Sequence, residues 1–147
     1  MSFTPQYAAD AYVKVGIETS VAGADPQQLI LMLFEGAEVA VAEARRHMEI
    51  GNIGRKGESV SKAIRILEDG LIASLDPHAG GPLAQNLAAL YEYMARRLLF
   101  ANAKNRPDIL DEVHRLLGEL KNAWASIPQQ GARPQGQPAA RPAQRPY

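Results

Sequence analysis

Side chains able to do chemistry are few in this chain and widely scattered. Two short spacings could bring metal ligands together: Asp111 with His114, three apart, and Glu43 with His47, four apart. Residues at those separations share a helix face. A metal site needs three or four ligands, so both pairs are expected to be polar surface, with no metal. The stretch Gly51-Asn52-Ile53-Gly54-Arg55-Lys56-Gly57 has the glycines and cations of a phosphate-cradling loop. It lacks the closing Gly-Lys-Ser/Thr, and a helical pattern rather than a strand precedes it. It reads as a helix stop followed by a solvated basic turn. His78 falls in a breaker loop, where exposure is expected, and no Ser, Thr or His sits in a nucleophile motif. Arg45-Arg46 and Arg96-Arg97 are isolated pairs, read as solvated faces or ion pairs to nearby Glu. No cofactor and no catalytic residue is expected.

Composition narrows the classes further. The chain has 147 residues, enough for one ordinary domain plus a tail. Sixteen Lys+Arg balance sixteen Asp+Glu, yet Arg133, Arg141 and Arg145 lie in the last twenty residues, which hold no acid. The first 127 residues therefore carry 13 basic and 16 acidic side chains, which disfavours a nucleic-acid partner. There are no cysteines, so disulfides, thiolate nucleophiles and Cys-based zinc sites are excluded. The start Met1-Ser2-Phe3-Thr4-Pro5-Gln6-Tyr7 lacks the basic opening and apolar core of a signal peptide. The longest aliphatic and aromatic run, Leu29 to Phe34, is six residues, against about twenty for a membrane span. A cytoplasmic protein with no membrane insertion is expected.

Whatever these residues do, helices must position them. Apolar spacing is helical almost throughout. In segment 1–24, Phe3, Tyr7, Ala11, Tyr12 and Val15 form one stripe, an extra N-terminal helical piece. The first long helix is expected to start at Asp25, whose carboxylate can cap it, with Pro26 in the first turn. Its stripe reads Leu29, Leu33, Ala37, Ala40, Ala44, Met48, and Gly51-Asn52 stops it. The second runs from about Gly54 to Leu75. Asp76 to Gly81 is read as a breaker. The third starts at Pro82 with Leu83, Leu87, Leu90, Tyr91, Met94, Leu98 and Ala101 inward. The fourth starts near Pro107, with Ile109, Val113, Leu116, Leu117, Leu120, Ala123, Trp124 and Ile127 on its stripe. The expected fold is all-α: an antiparallel four-helix bundle over 25–127. Residues 128–147, rich in Pro, Gln and Arg, form a disordered tail dispensable for folding.

Stripe widths differ. Leu29-Ile30-Leu31-Met32-Leu33-Phe34 points around the whole circumference, and the third helix is broad too. Neighbouring helices, the N-terminal segment or a partner must cover that surface. One short motif points elsewhere. His114-Arg115-Leu116-Leu117-Gly118 resembles the His-x-Leu-Lys-Gly core of histidine phosphotransfer domains, with Leu117 where they carry Lys. That resemblance implies a phosphoryl-accepting His114, and it is kept as the alternative function.

A longer match runs through the chain. Leu29-Ile30-Leu31-Met32-Leu33-Phe34-Glu35-Gly36-Ala37 after Asp25-Pro26 resembles the first-helix signature of the flagellar export chaperone family FliS. So do Ser74-Leu75-Asp76 with Gly80-Gly81, and Asn86-Leu87, Leu90-Tyr91, Tyr93-Met94, Arg97-Leu98 and Ala101-Asn102. Glu112-Val113, Ala123-Trp124 and the upstream Tyr12 and Val15 to Thr19 complete a match over about Tyr7 to Ile127. Many relatives have Ser where this chain has Asp25, and a shorter link after Thr19. The resemblance implies a small helical bundle that binds the C-terminal segment of flagellin in the cytoplasm. It also implies delivery to the export gate protein FlhA without use of ATP. Grooves from the first and third helices are expected to bind, through Ile30, Leu33, Ala37, Leu87, Tyr91 and Met94. Asn86 and Arg97 are polar members of the set. Tyr7 and Tyr12 are expected on a lid over the groove, and a homodimer is left open.

Overall fold

The computed structural model describes residues 25–127; the expectations for 1–24 and 128–147, Tyr7 and Tyr12 among them, lie outside the described residues. Four helices follow one another: α1 Pro26–Glu49, α2 Ile53–Arg65, α3 Pro77–Lys104 and α4 Pro107–Ala125. The end of α2 continues as a π-helical segment, Ile66–Ile72. The all-α bundle expected from the spacing is the fold observed.

α1 starts where its cap places it. The Asp25 carboxylate accepts the Gln28 backbone N–H at 2.8 Å, satisfying one of the donors that a helix start leaves unpaired. Gly51 ends the corner at φ 77°, a conformation open to glycine at little steric cost. Asn52 then caps α2 through the Arg55 N–H at 3.2 Å. The π-helical turn at Ile66–Ile72 departs from the uniform second helix expected to Leu75. Ile66, Leu67, Gly70 and Leu71 stay buried through it, so steps of three and four do not distinguish the two geometries.

The expected breaker is half a helix. Asp76 accepts the N–H groups of His78 and Ala79 at 3.0 and 3.1 Å and so begins α3 at Pro77. The turn breaks at Gly81, with φ 56° and ψ −137°, and Pro82 restarts it. The helix expected from Pro82 is therefore present, with a capped turn hinged onto its front.

α1 packs against α2 on one side and α4 on the other, while α3 packs against α2, the π segment and α4. α1 and α3 thus stand diagonally, with the Phe34 and Tyr91 rings meeting across the core at 6.3 Å between centroids. Being flanked on both sides accounts for the wide apolar circumference of α1. Leu29, Ile30, Leu33 and Phe34 are buried, and Leu31 and Met32 are half-buried.

Polar ties bind α4 to α1 along its length. Gln27 Nε2 donates to the carbonyls of Trp124 (3.2 Å) and Ile127 (2.8 Å), and Trp124 Nε1 donates back to the Gln27 carbonyl at 3.2 Å. Lys121 pairs with Glu38 at 2.9 Å, and Arg45 holds both oxygens of Asp111 at 2.6 and 3.2 Å.

One expectation is corrected here. Lys56, read as part of a solvated turn, is only 5% exposed. Its ammonium donates to the Asn102 carbonyl at 3.0 Å and to Asn105 Oδ1 at 2.6 Å. Asn105 stands in the left-handed conformation at φ 53°, as helix-ending Asn often does. A cation at the carbonyl end of α3 is favoured by the helix dipole and satisfies acceptors the helix cannot. Arg55 is exposed, as read.

Candidate partner-binding groove

The residues expected to line a groove separate into two groups. Ile30, Leu33 and Ala37 on α1 and Tyr91 and Met94 on α3 are 0–4% exposed. They face one another through the closed core, because α2 and α4 stand between their helices, and line no open groove in this form. Burial pushes the Tyr91 phenol well above its ordinary pKa, so it stays neutral. Leu87, expected to be buried, is half-buried. Asn86 is exposed, and Arg97 is half-buried. Leu83, placed on the inward stripe of the third helix, is 47% exposed.

A row of half-buried apolar side chains lies one helix edge away. Tyr93 donates its O–H to Glu112 Oε2 at 2.7 Å, and Arg97 Nε donates to Glu112 Oε1 at 3.0 Å. These bonds fix which edge of α3 faces α4. Stepping back along α3 by three and four from Tyr93 reaches Leu90, Asn86 and Leu83 on that edge. Stepping forward along α4 by four from Glu112 reaches Leu116 and Leu120. Leu87, Leu90, Leu116 and Leu120 are all half-buried against the core. The seam above Glu112 is therefore lined by half-buried leucines on both helices, a candidate trough that ends at the Glu112, Tyr93 and Arg97 cluster. Among the described residues no hydrogen bond or ion pair crosses from α3 to α4 above it.

The sequence signal for this trough was present but pointed elsewhere. Leu83, Leu90, Leu116 and Leu120 read as core because they share a stripe with residues that are core. They lie at the stripe's margin, where one helix neighbour covers them instead of two.

Glu112 is electrostatically the most loaded acid of the seam. The Tyr93 hydrogen bond, then Arg97, holds its pKa below the usual glutamate value, while the same bond raises that of Tyr93. A depressed folded-state pKa gives stability that is full above the unfolded value, about 4.3, and lost as pH falls through the folded one. Wild type should therefore lose stability more steeply than Glu112→Gln as pH drops from about 5 to 3. With Glu112 a quarter exposed, the difference should be no more than about 1 kcal/mol. Urea melts at stepped pH check this; parallel curves would show that the cluster adds nothing.

The sites of possible chemistry resolve differently. His114 is exposed, but Leu117, at the position of the phosphotransfer lysine, is fully buried. A Cβ at Gly118 would lie 3.3 Å from Glu38 Oε2, so the missing side chain makes room for a carboxylate of α1 rather than for a phosphoryl group. Asp111 is engaged by Arg45. His47, expected on the surface, is buried with Nδ1 unbonded, because it lies on the core-facing side of α1 with Ala40 and Ala44. Among the described residues no three metal-ligating side chains gather, and no helix is long and apolar enough to cross a membrane.

The fold defines a small, cysteine-free, all-α bundle. A family model described as flagellar protein FliS matches residues 8–131. The flagellar secretion chaperone FliS of Salmonella typhimurium is 48% identical over 117 residues, covering 80% of this chain and 87% of that protein. Its Escherichia coli counterpart is 46% identical over 121 residues, covering 80% and 89%. The Bacillus subtilis protein is 34% identical over 107 residues, covering 73% and 78%. The chain belongs to the FliS family of flagellar secretion chaperones, which is not an enzyme family.

Proposed function

We propose that this chaperone holds the C-terminal segment of flagellin in the cytoplasm, keeps it from polymerising early, and helps deliver it to the cytoplasmic domain of the export gate protein FlhA. The row of half-buried leucines along the candidate trough between α3 and α4 is the observation that carries the reading. An amphipathic helix laid along it would cover Leu83, Leu87, Leu90, Leu116 and Leu120, the arrangement that helix-in-groove recognition needs. Asn86 at its rim offers an amide to the incoming backbone, and Arg97 marks its lower end beside Glu112. Tyr91 and Met94, with Ile30, Leu33 and Ala37, support the seam from within the closed core.

Mixing the purified chain with full-length and C-terminally truncated flagellin tests this. A stoichiometric complex should form with the first and not with the second. Equal binding to both, or to neither, would overturn the assignment of the segment.

A further inference from the structure

Two chain corners lie side by side at one end of the bundle. Ile50-Gly51-Asn52 joins α1 to α2, and Asn105-Arg106 joins α3 to α4. The Lys56 ammonium, bonded to the Asn102 carbonyl and to Asn105 Oδ1, ties the second corner to the first. Ile50 and Ile53 project from the α1–α2 corner at 65% and 74% exposure, the two most exposed large apolar side chains among the described residues. Cations surround them. Residues 45–58 and 102–108 hold six bases and three acids. Glu49 is engaged by Arg45 and Asp108 by Arg106, which leaves Glu58. Arg46, Arg55 and Lys104 are exposed and form no ion pair among the described residues. At the opposite end the sign reverses: residues 25–34, 66–84 and 118–127 hold five acids and a single base, Lys121.

We infer that this end of the bundle docks on the anionic headgroup surface of a phospholipid membrane, without crossing it. Two signals act together there, apolar contact and charge, and peripheral binding grows with both. Each cation held close to an anionic surface strengthens binding about fivefold. Ile50 and Ile53 supply the apolar part, reaching the boundary between headgroups and acyl chains. Shape favours a lipid surface over an acidic protein. The isoleucines stand on a convex corner, which a headgroup layer can deform around, whereas a protein would have to offer a matching pocket. The charge reversal along the bundle turns this end toward an anionic surface and the far end away from it. In that pose the α3–α4 seam runs along the side of the bundle and stays open. The inference therefore goes beyond flagellin binding and stands or falls independently of it.

Co-sedimentation of the full-length chain with vesicles tests this. Vesicles of phosphatidylcholine with about one third phosphatidylglycerol should carry the chain down at low salt, and about 0.5 M salt should release it. Vesicles of phosphatidylcholine alone should leave it in solution. Arg46→Gln with Arg55→Gln should weaken binding about twentyfold, at about fivefold for each cation removed. Ile50→Ser with Ile53→Ser should weaken it about tenfold through lost apolar contact. Val39→Ser, 56% exposed midway along α1, should change it by less than about twofold. All five positions are exposed, so unchanged circular dichroism is expected for every variant. A chain that stays in solution with anionic vesicles, as it would if this end fitted an acidic protein instead, overturns the inference. Equal binding to neutral vesicles does the same. So does anionic binding that the arginine and isoleucine variants leave intact, which would assign the adsorption to the arginines of residues 128–147.

Discussion

Phe34→Ala is expected to lower the unfolding free energy by about 3–5 kcal/mol, the range for emptying a large aromatic site in a packed core. Phe34 is 2% exposed and sits where α1 meets α3 across the bundle. Its loss removes apolar burial and also the ring contact with Tyr91, and the surrounding helices cannot collapse inward without leaving their own neighbours. A domain of this size holds about 5–15 kcal/mol in total, so the variant should unfold at a much lower urea concentration. Val39→Ala, on the exposed side of the same helix, should shift the midpoint by no more than about 0.5 kcal/mol. A Phe34→Ala loss below about 1 kcal/mol would mean that the diagonal contact is not a packed one.

The second large effect concerns the trough. Leu90→Asp and Leu120→Asp each place a carboxylate where an apolar helix face would have to lie. Burying that charge without a partner costs several kcal/mol, so flagellin affinity should fall by more than about tenfold for either. Both leucines are only half-buried in the free chain, so the fold should survive. Leu99→Asp, on the exposed outer face of the same helix, should leave flagellin affinity unchanged. Titration calorimetry with folded variants separates the two surfaces. Wild-type affinity in both trough variants would place the flagellin site elsewhere.

Much of the architecture was legible because its causes are local. Asp25-Pro26 and the Leu29 stripe fix α1 through neighbours in sequence, and the structure starts the helix there. Asp76 to Gly81 reads as a breaker because proline and paired glycines punctuate helices. The same aspartate is a cap, and only the backbone at Gly81 tells which turn it opens. Lys56 was out of reach for a different reason. Its partners, Asn102 and Asn105, lie more than forty positions away, and no local pattern reports a cation drawn under another helix. The trough failed in a third way. Periodicity sorts residues into inward and outward, but Leu87, Leu90, Leu116 and Leu120 are neither. Their exposure depends on how far α4 stands from α3, which is set by side chains on both helices.

The clamp between Gln27 and Trp124 makes the bundle its own optical gauge. The chain contains a single tryptophan, and its indole N–H is bonded to the backbone of the first turn of α1 while it sits in the last turn of α4. Indole emission therefore reports one end of the molecule and is silent about the other, where Lys56 secures the end of α3. If the two ends loosen at different temperatures, emission and backbone ellipticity will part company during heating. The order in which they move will say which end gives way first.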